Sequence, residues 1–220
     1  MAIRSQADAA RVRRATSTHR NVTYDEVPEL HFITPVTNLP SILEHGILSN
    51  KRAARLSEAR SIARQDIQDQ RAKIRVPGGR PLHDYANLYF HARNPMMYLR
   101  KGQHAEICVV AVSKQVLTLA DVIVTDQNAA SEYVRFFPSP DGLRYLDREW
   151  IYADDWRHDS QRDYYRHRSV KCAEALVPDW VRPEAVRGIY VSCQAAHDRV
   201  VALVPEGTAV KTSPVLFFQA

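Results

Sequence analysis

The sequence predicts an α+β fold with antiparallel sheets, and three observations lead to this prediction. Short apolar segments rich in β-formers recur along the chain, but they do not alternate with helices in the regular period of a doubly wound sheet. The glycine patterns of dinucleotide-binding and phosphate-binding loops are absent from the sequence. Hydrophobic residues make up 45% and charged residues 25% of the 220 residues, which is enough apolar content for one core and excludes a disordered chain.

The chain has the length of one domain, and its composition changes near residue 27. Residues 1–21 contain five arginines and a single acidic residue, Asp8, and they lack the apolar run of a secretory signal. Mitochondrial transit peptides share this arginine-rich composition. We expect residues 1–26 to form a basic, poorly ordered N-terminal tail and residues 27–220 to form a single domain.

Local signals predict the first strand and the first helix of this domain. The segment of residues 30–34 is short, apolar and rich in β-forming residues, which indicates a strand. Leu39–His45 is predicted to form a helix of about two turns, with a proline in its first turn. Thr37 or Asn38 can cap its start, and Gly46 can end it in a left-handed conformation.

A longer helix is predicted next, with one apolar and one basic face. The apolar face consists of Leu56, Ala59, Ala63 and Ile67, and the basic face of Arg60, Arg64, Arg71 and Arg75. Residues 76–81, with two prolines and two glycines, end this helix. Residues 51–80 carry a net charge of +6, which is typical of proteins that bind a polyanion, although a solvated helix face has the same composition.

Further apolar segments predict the remaining strands of the domain. These segments are residues 83–90, 107–112, 122–125, 173–177, 188–192 and 200–203. None of them approaches the ~20 apolar residues of a membrane span. The three cysteines form no CxxC pair and the nine histidines show no metal-ligand spacing, so we expect a cytoplasmic protein without disulfides, metal or membrane contact.

Glu174 is conspicuous because it interrupts an apolar strand. Burying an isolated carboxylate is costly unless it is paired. We therefore expect a partly exposed acid at the mouth of a cleft, and the alternative is an edge-strand position that faces water. Spacing supports no Ser-His-Asp or Cys-His site, and a lone histidine such as His83 or His91 is more often structural.

A series of short motifs is informative as a set. They are Ile33-Thr34 with residues 37–43 and 46–48, Ile67-Gln68 with Arg71, residues 76–77 with 83–85 and 88–90, residues 94–98, residues 125–131 with Arg135-Phe136, and residues 173–178. In this order and with these spacings, residues 30–192 resemble the DarT family of DNA ADP-ribosyltransferase toxins.

The resemblance implies a split antiparallel β-sheet with flanking helices and an NAD⁺ cleft between its halves. Members of the family transfer ADP-ribose from NAD⁺ to a nucleobase of single-stranded DNA, release nicotinamide and are paired with a macrodomain antitoxin. The catalytic glutamate and arginine of the family fall on Glu174 and Arg71. Tyr89 and Met96 can pack against the nicotinamide or adenine ring. The predicted NAD⁺-binding residues are His31, Phe32, Thr34, Asn38, Gly46, Leu48, Tyr89 and Met96.

The substrate-recognition loop of the family falls on residues 125–135. In this loop Asn128 offers a donor and an acceptor to a base edge, and Tyr133 offers a stacking face. The alternative is that Asn128 caps a turn and that Tyr133 belongs to the core. The residues predicted to contact nucleic acid are Asn128, Ser131, Tyr133, Arg135 and Arg75.

One position departs from the family pattern. Many members have a histidine where this chain has Phe32, and here the histidine lies one place earlier, at His31. This leaves the acceptor base open between thymine and guanine. The alternatives are an enzyme that modifies RNA, a degenerate, non-catalytic nucleic-acid-binding module, and an unrelated α+β domain. We expect a monomer.

Overall fold

A computed structural model of the chain describes residues 20–55 and 65–219. Its strands are β1 (Leu30–Pro35), β2 (Ile47–Leu48), β3 (Tyr85–Tyr89), β4 (Ile107–Val112), β5 (Ile123–Thr125), β6 (Phe136–Pro138), β7 (Glu174–Pro178), β8 (Trp180–Val181), β9 (Val186–Val191) and β10 (Val210–Thr212). Its α-helices are α1 (Leu39–His45), α2 (Asn50–Ala53), α3 (Gln65–Ala72), α4 (Pro95–Leu99), α5 (Arg148–Tyr152), α6 (Gln161–Val170) and α7 (Gln194–Val201). No helix among these residues is long and apolar enough to cross a membrane.

Within the described residues, eight strands form one sheet in the order β10-β9-β4-β1-β3-β7-β5-β6, and β2 pairs separately with β8. Neighbouring strands of the large sheet are antiparallel except for β9 and β10, which run parallel. The predicted α+β fold is therefore confirmed. The parallel β9–β10 pair at the edge of the sheet departs from the antiparallel pairing that the sequence predicts. All six residues of β4 are buried, as its uniformly apolar sequence predicts.

The large sheet is almost divided between β1 and β3. These strands share a single register pair, His31 opposite Tyr89, whereas β1 pairs with β4 over six residues and β3 pairs with β7 over five. Beyond that pair β1 and β3 separate, and residues of both line the cleft between them. The split sheet with a cleft between its halves is thus confirmed.

The main core includes a residue that the sequence analysis placed in the N-terminal tail. Val22 is 1% exposed and packs in the main cluster of buried apolar side chains. Asn21 forms a β-bridge with Asp147. Residues 20–26 therefore belong to the folded unit, while residues 1–19 of the expected tail lie outside the described residues.

Two strand predictions differ from the structure, one entirely and one only at its start. The strand predicted over residues 200–203 is the end of α7 and the turn after it. Ala196 and Val200 are buried about one helical turn apart, so these apolar residues follow the period of a helix. The strand predicted from residue 83 begins only at Tyr85, because a 3₁₀ turn, Leu82–Asp84, precedes it.

The predicted basic helix face does not extend to Arg75. Helix α3 ends at Ala72, and Arg75 lies beyond it in an isolated bridge with Pro81. Arg71 and Arg75 therefore do not share a helix face. The other predicted members of the two faces lie outside the described residues. They are Leu56, Ala59, Arg60, Ala63 and Arg64, together with the side chain of Ile67.

Helix α1 is confirmed, and Gly46 ends it. Gly46 has φ +82°, and its N–H donates to the carbonyl oxygen of Ile42 at 2.8 Å. A Cβ atom at this position would lie 2.1 Å from the carbonyl oxygen of Val181. Only glycine therefore fits the junction between α1 and the β2–β8 pair.

We expect Gly46→Ala to lower the free energy of unfolding by at least about 3 kcal/mol, because the substitution combines an unfavourable φ with a backbone clash. Gly207→Ala is the matched control. Gly207 has φ +85° but no atom within 4 Å of its Cβ position, so we expect a loss of about 1 kcal/mol. Urea unfolding measures both, and equal losses would contradict the importance of the Val181 contact.

Candidate active site

The cleft between β1 and β3 has a volume of about 1050 Å³. Its lining comes from β1, α1, β2 and α2, from alternate residues of β3, and from α3, α4, α6 and the loop after β5. Typical ligand pockets have volumes of about 300–1,000 Å³. The cleft is therefore large enough for a sizeable ligand.

Glu174 and Arg71 form a bidentate ion pair beside this cleft. Arg71 Nη1 and Nη2 donate to Glu174 Oε1 and Oε2 at 3.0 and 2.9 Å. Arg71, in the last turn of α3, lines the cleft, whereas Glu174, the first residue of β7, is completely buried. The expectation of a partly exposed acid is therefore wrong. The guanidinium compensates the charge of the carboxylate, which makes complete burial tolerable.

Two hydrogen bonds tie Glu174 to the end of β5 and to the loop that follows it. The N–H of Ala129 donates to Glu174 Oε1 at 3.0 Å. The N–H of Glu174 donates to Thr125 Oγ1, also at 3.0 Å. Both Thr125 and Ala129 lie in the predicted recognition loop, so that loop and the carboxylate are held as one unit.

Burial and the Glu174 carboxylate both act on the pKa values of Arg71 and Tyr89. Burial would lower the pKa of Arg71, but the carboxylate outweighs burial and the net pKa is raised. Burial, and then the charge of Glu174, raise the pKa of Tyr89, which lies opposite Glu174 in the β3–β7 pair. Arg71 is therefore charged and Tyr89 neutral at physiological pH.

Most of the predicted NAD⁺-binding residues line the cleft: Phe32, Thr34, Asn38, Gly46, Leu48, Tyr89 and Met96. The side chain of Asn38 does not cap α1. Its Nδ2 instead donates to Thr34 Oγ1 at 3.0 Å, which connects β1 to the start of α1. These residues are therefore brought together from five separate elements.

His31 is the exception, because it is not among the residues that line the cleft. Its Nδ1 accepts a hydrogen bond from the N–H of Ala92 at 3.0 Å, and its Nε2 lies 3.0 Å from the carboxylate of Glu29. His31 belongs to the one register pair that joins β1 to β3, where the sheet leaves no opening. Its predicted role in binding NAD⁺ is therefore not supported.

Asn128 and Ser131 are the two predicted nucleic-acid contacts that line the cleft. Asn128 also caps a turn, because its Oδ1 accepts from the N–H of Ala130 at 2.8 Å. Its own N–H donates to the carbonyl oxygen of Ser169 at 3.0 Å, which holds the loop against α6. The turn-capping alternative is thus correct for this side chain, although Asn128 still faces the cleft.

The other three predicted nucleic-acid contacts, Arg75, Tyr133 and Arg135, are exposed and lie outside the cleft. Tyr133 is 77% exposed, so it is not a core residue. Arg135 Nε donates to Asp126 Oδ2 at 2.7 Å. These side chains are accessible to a polymer that extends beyond the cleft, but they do not contact a ligand inside it.

Sequence reasoning missed several residues of the lining, among them Asn87, Arg100 and Arg168, and treated His83 as structural. His83 Nε2 is buried and has no hydrogen-bond partner in the described part of the chain. Burial, and then the charge of Arg71, lower the pKa of His83, so its ring is neutral near pH 7. The available signal was the two-residue period of His83, Tyr85, Asn87 and Tyr89, all of which line the cleft.

The family described as "ssDNA thymidine ADP-ribosyltransferase, DarT" matches residues 31–218. A DNA ADP-ribosyl transferase of Thermus sp. (strain 2.9) is 34% identical over 84% of this chain and 90% of its own length. A DNA ADP-ribosyl transferase–DNA ADP-ribosyl glycohydrolase fusion protein of Thermosipho africanus is 31% identical over 82% of this chain. The chain spans only 48% of that fusion protein.

Solved structures share the fold. Thermus sp. 2.9 DarT in complex with ADP-ribosylated ssDNA superposes with a TM-score of 0.77 at 26% identity, over 90% of this chain and 100% of that one. Thermus sp. 2.9 DarT in complex with NAD⁺ superposes with a TM-score of 0.72 at 26% identity, over 89% of this chain and 100% of that one. By sequence and by fold, the chain belongs to the DarT family of ADP-ribosyltransferases.

Proposed function

We propose that the protein transfers ADP-ribose from NAD⁺ to a nucleobase of single-stranded DNA and releases nicotinamide. The observation that carries this proposal is the buried Arg71–Glu174 pair beside the large cleft of the split sheet. Family membership supports it, as do the two structures of one relative, Thermus sp. 2.9 DarT, in complex with NAD⁺ and with ADP-ribosylated ssDNA.

The proposed reaction breaks the bond between the nicotinamide nitrogen and C1 of its ribose. The electron pair of that bond stays with nicotinamide, and the ribose develops oxocarbenium character. A ring nitrogen of the acceptor base bonds to C1 and releases its proton to water. We assign Glu174 the stabilisation of the cationic ribose, because a fixed carboxylate in a water-poor site acts strongly on a developing charge.

Glu174 is completely buried behind Arg71, which binds both of its oxygens, so contact between the carboxylate and a ribose requires this pair to rearrange. The pyrophosphate of NAD⁺ is a bidentate acceptor that competes well for a guanidinium. We therefore propose that bound NAD⁺ draws Arg71 toward its pyrophosphate and frees Glu174 for the reacting ribose.

The remaining assignments follow the position of each residue. We place the donor on β1, α1 and β2, with Tyr89 and Met96 against one of its rings, and we expect no metal to be needed. The acceptor base lies beside Asn128 and Ser131, and the exposed Arg75, Tyr133 and Arg135 contact its neighbouring nucleotides. We further propose that the protein is a cytoplasmic, monomeric toxin with a macrodomain-type antitoxin. The glycohydrolase fused to the Thermosipho relative supports the proposed antitoxin.

Incubation with NAD⁺ and matched DNA and RNA oligonucleotides tests the proposed function. Mass spectrometry should find one added ADP-ribose on a base of single-stranded DNA, with thymine and guanine as the two candidates, together with free nicotinamide. Modification of RNA alone would make RNA the acceptor. Binding of oligonucleotides without any nicotinamide release would favour a non-catalytic nucleic-acid-binding module.

The loop after β5 gives a separate prediction. Asn128→Ala and Tyr133→Ala should each lower DNA modification about 5-fold or more. The first removes the cap of the loop and an Nδ2 donor beside the base, and the second removes a stacking surface. The affinity for NAD⁺, measured by calorimetry, should change little. Tyr145→Ala is the control, since Tyr145 is also exposed, at 46%, but belongs to neither the loop nor the cleft. A matching loss of NAD⁺ affinity would place the loop on the donor side.

A further inference from the structure

Asn87 is the one residue of β3 that is not buried, and its side chain lines the cleft. Within the described residues, its Oδ1 and Nδ2 have no hydrogen-bond partner. A side-chain amide has one acceptor and two donor hydrogens. Asn87 can therefore bind a ligand in the cleft without giving up a contact to the described part of the chain.

The strand register places Asn87 close to the reacting centre. Tyr89 lies opposite Glu174 in the β3–β7 pair, and Asn87 lies opposite Leu176, two residues further along β7. Diagonal neighbours on one face of an antiparallel pair are about 7–8 Å apart. Asn87 therefore lies on the same face as Glu174 and one diagonal step from it.

Asn87 also lies on the side of the cleft where the acceptor is proposed to bind. Its cross-strand neighbour Leu176 packs in a small cluster with Tyr85 and with Ala129 from the loop after β5. Asn128, in the same loop, has already used its Oδ1 to cap a turn. Asn87 is thus an amide on this side whose donor and acceptor are both available to a base.

We infer that Asn87 recognises the acceptor base by donating from Nδ2 to a carbonyl oxygen next to the attacking ring nitrogen, an inference that rests on the proposed function. As that nitrogen gives up its proton, and before its bond to C1 of the ribose is complete, negative charge spreads onto the adjacent oxygen. The hydrogen bond therefore strengthens during the reaction. This contact selects bases with a ring N–H beside a carbonyl, namely thymine, uracil and guanine, over adenine.

The first test compares two asparagines of the cleft. Asn87→Ala should lower the rate of oligonucleotide modification at least about 10-fold and change the affinity for NAD⁺ less than about 2-fold. Asn38→Ala, on the donor side, should show the reverse pattern and weaken NAD⁺ binding first. Thermal unfolding identifies any variant that has lost its fold. A loss of NAD⁺ affinity in Asn87→Ala that equals its loss of rate would overturn the inference.

The second test replaces the oxygen that Asn87 is inferred to contact. Sulfur is a weaker acceptor than oxygen, so the reactive base is supplied as 2-thiothymine or 4-thiothymine, or as 6-thioguanine if guanine is the acceptor. The wild-type protein should lose rate with one of these bases, and Asn87→Ala should be insensitive to that same replacement. Independent effects of the variant and of every sulfur replacement would overturn the inference.

The two proposals fail in different ways. If the wild-type protein modifies no oligonucleotide, the proposed function is wrong and the inference about Asn87 falls with it. If the wild-type protein is active and Asn87→Ala is equally active, only the inference about Asn87 is wrong.

Discussion

Glu174→Gln should lower ADP-ribose transfer at least about 100-fold while the protein remains folded. Glutamine has nearly the same shape as glutamate and keeps an acceptor for the N–H of Ala129, but it carries no charge to stabilise the ribose cation. Mass spectrometry of a modified oligonucleotide measures transfer, and thermal unfolding measures the fold. Binding of NAD⁺ should survive, because Glu174 is required mainly when the ribose becomes cationic.

The choice of glutamine follows from the complete burial of Glu174. Alanine would remove every acceptor for Arg71 and for the N–H of Ala129 and leave a cavity as well, whereas glutamine loses the charge but keeps one acceptor oxygen, so less of its loss of activity is mixed with a loss of stability. Glu184→Gln is the control, since Glu184 is an exposed carboxylate that does not line the cleft. Transfer by Glu174→Gln within about 3-fold of the wild-type rate would show that this carboxylate is not catalytic.

Arg71→Ala should remove both transfer activity and much of the stability. It leaves the carboxylate of Glu174 buried and uncompensated, and breaking a buried pair in this way costs about 3–5 kcal/mol. Transfer should fall because the pyrophosphate of NAD⁺ loses its bidentate partner. Urea unfolding and the same oligonucleotide assay measure the two effects.

A double variant separates the two roles of Arg71. Arg71→Met combined with Glu174→Leu replaces the ion pair by apolar side chains of similar size, so it should recover most of the lost stability and none of the activity. Arg75→Ala is the single-site control, because Arg75 is exposed and lies outside the cleft. It should leave stability unchanged, weaken DNA binding and reduce the salt dependence of that binding. Equal effects of Arg71→Ala and Arg75→Ala would show that Arg71 has no special place in the site.

The parts of the fold that were predicted correctly are those that local sequence specifies. Strand β4 is a continuous apolar run, and α1 has a proline in its first turn and a glycine at its end. Residues 200–203 were predicted incorrectly because a short apolar run satisfies both the strand and the helix pattern. Packing of Ala196 and Val200 against the core decides between the two patterns, and that contact is not local.

The site was predictable only in part, for the same reason. Glu174 could be singled out as an acid in an apolar strand, but its partner Arg71 is 103 residues away and was identified through the family resemblance. His31 and Phe32 are adjacent, and only the register of β1 with β3 shows which of them faces the cleft. Nothing in the local sequence distinguishes Asn87 from other strand residues, and only the register of β3 with β7 places it near Glu174.

Because β1 and β3 share only the His31–Tyr89 pair, the backbone ladder is nearly interrupted in the middle of the sheet. Side-chain packing in the common core holds the two halves together, and such packing permits small relative rotations that a continuous ladder would resist. In native-state hydrogen exchange, the amides of β10-β9-β4-β1 and those of β3-β7-β5-β6 should therefore exchange as two units with different opening free energies. A ligand that binds across the split stabilises only the joined state, so saturating NAD⁺ should bring the two opening free energies together.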